Sequence, residues 1–330
     1  MTTSAPPSLP DFKATRVIVE WQHDAPLFGC RFDPTGRYLF AGSADFSIVR
    51  CPVEGGTPVR LEGHRSWVRA LGFSRDGATL FSGGYDGKLI FWPAAADRPE
   101  PLRTVDAHRG WVRTLAVHPN GQWVATGGND RAVRLWSVAD GSLVREFEGH
   151  GSHVYSAIFA PHGDLVSGEL YGQIRHWNAE SGKLIRQFDA SELHAAFGDH
   201  SHYGGVLSLA CSPDGKHLSA TGLHRASNPN AGIQWPAMLL FDWSSGQLVR
   251  TQAAESIGRC IFHRGVYHAS GLLVGGLGKH IAFWRSDAVE PLHFVELLGH
   301  VHDLDLHPDG LRIGTAHYTG DLRVSIMKGA

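Results

Sequence analysis

An apolar run ending in tryptophan recurs along this chain. GKLIFW closes at Trp92, AVRLW at Trp136, GQIRHW at Trp177, AMLLFDW at Trp243 and KHIAFW at Trp284. The intervals are 44, 41, 66 and 41 residues. A step of 41 back from Trp92 reaches Cys51 in SIVRC, and a step of 41 on from Trp284 reaches Ser325 in DLRVS, so the 330 residues hold seven copies, two of them degenerate. A period near 40 means one small structural unit per copy, stable only when stacked on its neighbours. Within a copy, VRALGF, ATLFSG, KLIFW and a return segment such as SLVREFEGH are short runs parted by SRDG, YDG and ADGS turns. They read as four strands of an antiparallel sheet. Such a sheet cannot bury both faces alone, so the copies pack face to face around an axis.

The copies also share polar residues. The second carries Gly-His64 before its first strand, Ser82 ending its second, Asp86 in the next turn and Trp92 in its third; the third copy has His108, Thr126, Asp130 and Trp136 in those places. With this set the chain resembles the WD-repeat β-propellers over nearly its entire length. The resemblance implies an all-β, seven-bladed propeller in which Trp, Ser/Thr, His and Asp form one hydrogen-bonded chain, satisfying groups that are costly to bury unpaired. These eight residues are therefore read as structural. The other copies depart from the pattern: Tyr171 stands where the fourth should have Asp, and Ala41 replaces the Ser/Thr of the first. Those blades are expected to rely more on apolar packing. No Trp-Asp dipeptide occurs. The seventh copy stops at LRVSIMKGA without a fourth strand, while ATRVIVEWQH near the front resembles an orphan fourth strand. The N-terminal strand is thus expected to complete the last blade and remove two open edges. Residues 1–14 are read as a flexible tail and 15–330 as a single propeller.

Composition narrows the function classes. Lys and Arg number 30 against 32 Asp and Glu, leaving no global basic field for nucleic acid. Neither a basic leader with an apolar run nor a spanning apolar stretch is present in the sequence, so a cytoplasmic monomer without membrane contact is expected. Cys30, Cys51, Cys211 and Cys260 stand singly in apolar segments and read as buried free thiols. Phosphate-loop, nucleophile-elbow and zinc-protease motifs are absent from the sequence, and its glycines sit at turns. The chain reads as a non-enzymatic scaffold that binds proteins or peptides and needs no cofactor.

The candidate binding residues follow from HRSWVRALGF and HRGWVRTLAV, nearly one phrase repeated at His64 and His108. Residues two apart on a strand face the same way, so Trp67 with Arg69, and Trp111 with Arg113, point together at the rim of adjacent blades. The resemblance places them on the top face, with Tyr85, Asn129, His153 and Tyr155 beside them. One reading makes this a ledge for an acidic or phosphorylated segment; the other makes the aromatics filler of the seam between blades. Blade 5 carries the extra length. Thr221 and Trp243 stand 22 apart against 10 for Ser82 and Trp92, which places insertions at about 191–205 and 223–236, above the same face. His194, His200 and His202 fall in the first, and His300 and His302 recur in blade 7. They are the candidates of an alternative reading, a small-ligand or metal-binding propeller; a hydrolytic enzyme ranks third. His202 precedes Val206 by four, as His64 precedes Val68, which assigns it a structural place instead. Counting back from Pro308 as from Pro119 aligns Val301 with Val112 and lifts His300 onto the top face.

Overall fold

The structure is a computed structural model describing residues 8–197, 201–228 and 233–329. Seven four-stranded antiparallel sheets follow one another, spanning 27–61, 68–106, 112–147, 154–189, 208–253, 262–296 and 301–328; residues Asp11–Gln22 add the outer strand of the seventh. Blade 2 is representative, with strands Val68–Phe73, Thr79–Gly84, Lys88–Pro93 and Arg103–Asp106 from the axis outward.

Cores form between blades, because each sheet has apolar residues on both faces. Phe40, Ile48 and Leu61 of blade 1 pack with Val68, Leu71, Ile90 and Trp92 of blade 2. The glycines ending the second strands make this approach possible. A Cβ on Gly83 would lie 2.5 Å from Val112 of the next blade, and one on Gly127 would lie 2.6 Å from Val154. Only glycine admits the neighbouring valine so closely.

The ring closes through its first strand. Gln22 pairs with Asp321 and Asp11 with Lys328. The strand starts at Asp11, earlier than the expected 15, because Phe12 is buried and stacks on Phe283 of blade 6 with ring centroids 5.2 Å apart. Arg323, also buried, reaches Glu20 across the seam at 2.6 Å.

Blade 5 corrects the tryptophan ruler. Leu218 pairs with Phe241 as Leu80 pairs with Trp92, so Phe241 holds the tryptophan's place and Ala220 that of Ser82; Thr221 and Trp243 do not. Trp243 lies beyond, over His176 and Phe188. The insertions become two projections. Ser191–Leu193 forms a turn of 3-10 helix leading into a hairpin of His194–Phe197 and Ser201–Gly204. The second and third strands also lengthen, to His217–Asn228 and Ile233–Asp242, still paired at Asn228 and Ile233.

All four cysteines are free. Cys30 and Cys51 are buried, but Cys211 and Cys260 are half-buried, Cys260 because it sits in the loop before the inner strand that starts at Phe262. Burial pushes the thiols of Cys51, Cys211 and Cys260 up to about 12. Among the described residues no helix is long and apolar enough to cross a membrane.

Candidate functional site

A polar chain ties the upper loops of blades 2 and 3 to their sheets. In blade 2 the Trp92 indole N–H donates to Ser82 Oγ at 2.8 Å, and Ser82 Oγ lies 2.7 Å from His64 Nε2. His64 Nδ1 is 3.0 Å from Asp86, whose carboxylate also accepts the Arg65 backbone N–H at 2.7 Å. One tautomer satisfies every link: Nδ1–H donates to Asp86, while Nε2 accepts from the hydroxyl. Blade 3 repeats this through Trp136, Thr126, His108 and Asp130, at 2.8 Å per side-chain link. Burial alone would raise the Asp130 pKa, but hydrogen bonds from His108 and Arg134 hold it well below the ordinary carboxylate range.

Blades 1, 4 and 7 keep polar substitutes, which corrects the expectation of apolar packing for blades 1 and 4. In blade 1 His23 Nε2 lies 3.1 Å from Ser43 and 2.9 Å from Asp45, the hydroxyl having moved two residues along from Ala41. In blade 4 Ser167 joins His150 and Trp177 at 2.7 and 2.9 Å, and the acid comes from Glu169, buried 3.9 Å from His150, instead of Tyr171. In blade 7 His317 bonds Thr315 at 2.9 Å. Blade 6 has Gly275 at the serine's place, and the Trp284 indole N–H has no partner there. Asp86→Ala should cost about 1–3 kcal/mol, because His64 loses its acceptor; Tyr171→Ala should avoid that penalty, since blade 4's carboxylate is elsewhere. Denaturant midpoints of the two variants compare them directly, and equal midpoints would contradict the assignment.

Above these chains, the residues entering each inner strand form one aromatic band. Phe28 stacks on Trp67 with centroids 5.0 Å apart, Trp67 meets Tyr85 at 5.7 Å, and Tyr85 lies flat on Trp111 at 4.1 Å. The Arg113 guanidinium sits 4.8 Å from the Trp111 ring and 4.5 Å from Tyr155, and its Nε–H donates to Asn129 Oδ1 at 2.5 Å. His153 stands beside Tyr155 at 6.5 Å. Trp67 is 43% exposed and Trp111 40%, so each packs on its neighbours yet stays open to solvent. The two readings of these tryptophans meet: they pack on Tyr85 and remain available from above. Among the described residues Arg113 has no carboxylate partner, and both burial and Arg69 work against its charge.

Family comparison agrees with the repeat. The model for "WD domain, G-beta repeat" matches residues 16–49, 56–93, 99–137, 141–178 and 192–225, more than half of the chain. The chain is a WD40-repeat protein. No curated protein matches the sequence.

The blade 5 hairpin of this WD40 propeller leans over the band. Tyr171 packs against His194 and His202 at 5.2 and 4.9 Å, and those imidazoles share a hydrogen bond of 3.0 Å. His202 is exposed in the hairpin and takes no part in a tryptophan chain, so the structural place read for it does not hold; His200 lies outside the described residues. Val301 pairs with His317 as Val68 pairs with Gly84, which puts His300 at the place of Trp67 and His302 at that of Arg69. His302 packs between Phe28, His263 and Tyr318, away from the hairpin histidines. The candidate histidines therefore do not gather into one group of three among the described residues.

Beneath the hairpin is a cavity of about 340 Å³, lined by Arg69, Arg113, Tyr155, Gln234, His202 and His263 among others. Lower in the channel, Arg31 pairs with Asp303 at 2.7 Å and Arg264 approaches the same carboxylate at 3.6 Å. Asp303 is thus engaged by Arg31 and Arg264, and among the described residues neither Arg69 nor Arg113 forms an ion pair. Phe28 and His263 carried no sequence signal, because they occupy the arginine position with other residue types; His302 shares that position and was singled out only as a candidate ligand.

Proposed function

We propose that the chain is a protein-interaction scaffold that receives an acidic or phosphorylated segment on its top face. WD40 propellers are commonly such scaffolds. The observation that carries the reading is the pair Arg69 and Arg113, which line one cavity with no carboxylate among its described lining residues and which are flanked by half-exposed aromatic rings. Guanidinium groups hold carboxylates and phosphates bidentately, and adjacent rings exclude water from the contact. The same proposal has the protein act as a monomer in the cytoplasm, without nucleic acid, membrane or cofactor and without catalysis; four unpaired cysteines suit a reducing compartment.

Immobilised peptides rich in Asp and Glu, or bearing phosphoserine, should bind with an affinity that falls with salt, and lysine-rich controls should not. Arg69→Glu with Arg113→Glu should abolish that capture while the protein stays folded. Trp67→Ala and Trp111→Ala should each weaken it by about 2 kcal/mol as contact residues, with less loss of stability than the ~3–5 kcal/mol of a core truncation. Unchanged capture by the folded double variant would sink the reading.

A further inference from the structure

On the face opposite the arginine pair, between blades 4 and 5, three side chains converge that the binding reading does not use. His162 and Asp164 come from the turn after the inner strand of blade 4, and His176 from its third strand, just before Trp177. Asp164 Oδ2 lies 2.9 Å from His176 Nε2 and 3.5 Å from His162 Nε2. Among the described residues they are the one group of three histidine, cysteine or acidic side chains whose donor atoms all fall within 4.8 Å of one another.

We propose that His162, Asp164 and His176 bind a divalent transition-metal ion, zinc before others. Two imidazoles and a carboxylate make a borderline nitrogen and oxygen donor set, and zinc sites with three protein ligands leave a fourth position for water. Bonds of about 2.0–2.1 Å at tetrahedral angles separate donors by roughly 3.4 Å, close to the spacings seen here. The closing movement falls on His162, whose side chain is 54% exposed, while His176 is fixed by burial. Surrounding groups hold the set in place. Asn178 Nδ2 approaches the other oxygen of Asp164 at 3.5 Å, orienting the carboxylate. Trp243 packs on both imidazoles, at 5.6 Å from His162 and 4.6 Å from His176, and shields one side from water. Arg186, the nearby cation, donates to the carbonyls of Trp243 and Ser244, at 2.5 and 2.9 Å, which keeps the turn bearing that tryptophan against the site. A purely structural role explains the buried His176 and Asp164 pair but leaves exposed His162 without a purpose, since an exposed ion pair adds little stability.

The test is calorimetric titration of chelator-treated full-length protein with zinc chloride. One saturable site is expected, weakened tenfold or more in His162→Ala and in Asp164→Asn, and unchanged when His194 and His202 are both replaced by alanine. Cupric ion supplies a second readout: it should quench a component of tryptophan fluorescence that disappears in Trp243→Phe. His162→Ala removes an exposed side chain, so its melting temperature should match the parent and misfolding is not at issue. The proposal is overturned if the wild type shows no saturable binding, if binding persists undiminished in both ligand variants, or if it is lost with the hairpin histidines instead.

Discussion

A chain cut to begin at Asp24 is expected to be insoluble or to melt far below the full-length protein. The missing segment is the whole outer strand of blade 7, which pairs with Asp321–Lys328 from end to end. Phe12 alone, buried on Phe283, is worth about 3–5 kcal/mol, a large part of the roughly 5–15 kcal/mol by which folded chains are stable. Arg323 would lose Glu20 and keep a buried charge, while the backbone of the penultimate strand would present an open edge to other chains. A peptide of residues 9–23 added during refolding should restore solubility by filling that edge. A truncated protein that melts with the parent would show that closure contributes nothing.

Acidification should have the other large effect. Burial, reinforced by nearby cations, pulls His150 down to about 3 and His302 and His317 down to about 4, and pushes His263 well below its ordinary value. The cations differ: Arg175 acts on His150, Arg69 on His302 and His263, and Arg323 on His317, with His300 adding to the last three. Asp303 and Asp321 act against the shifts of His302 and His317. In the unfolded chain these imidazoles take up protons near pH 6.5, whereas in the fold they stay neutral, so the unfolded state binds more protons and stability falls as the pH drops from about 6.5 towards 4. At pH 5 His150, His302 and His317 each contribute a loss of about 1–2 kcal/mol. The melting temperature at pH 5 should therefore lie on the order of 10 °C below that at pH 7.5. A flat profile over this range would mean that these imidazoles are solvated.

Legibility in the sequence followed hydrogen-bond need. Blades 2 and 3 were readable because an indole N–H, a hydroxyl, an imidazole and a carboxylate each require the next, which fixes four residue types at fixed spacing. Phe241 makes no such demand, so blade 5 has no serine to announce it, and the tryptophan two residues later drew the count to itself. Glu169 escaped for a related reason: the acid of blade 4 lies two positions before the expected one, accepts the Ser152 backbone N–H and stops 3.9 Å from the His150 imidazole. The arginine pair was visible because it was duplicated; its neighbours Phe28, His263 and His302 share its position but not its chemistry. His162, Asp164 and His176 fit no familiar ligand spacing, since a turn and a strand two elements away meet only after the sheet forms.

The projections of blade 5 have a further consequence. A ring of seven similar wedges offers an approaching chain seven nearly interchangeable seats, and a ligand that read only the shared positions would settle in any of several rotational settings. The hairpin strands His194–Phe197 and Ser201–Gly204 and the lengthened strands to Asn228 and Ile233 rise over one sector. On the proposed reading they act as a keyway: a partner that met them would be indexed to a single angle about the axis, with one end at the Arg69 and Arg113 side and its direction along the rim decided before any side chain is recognised.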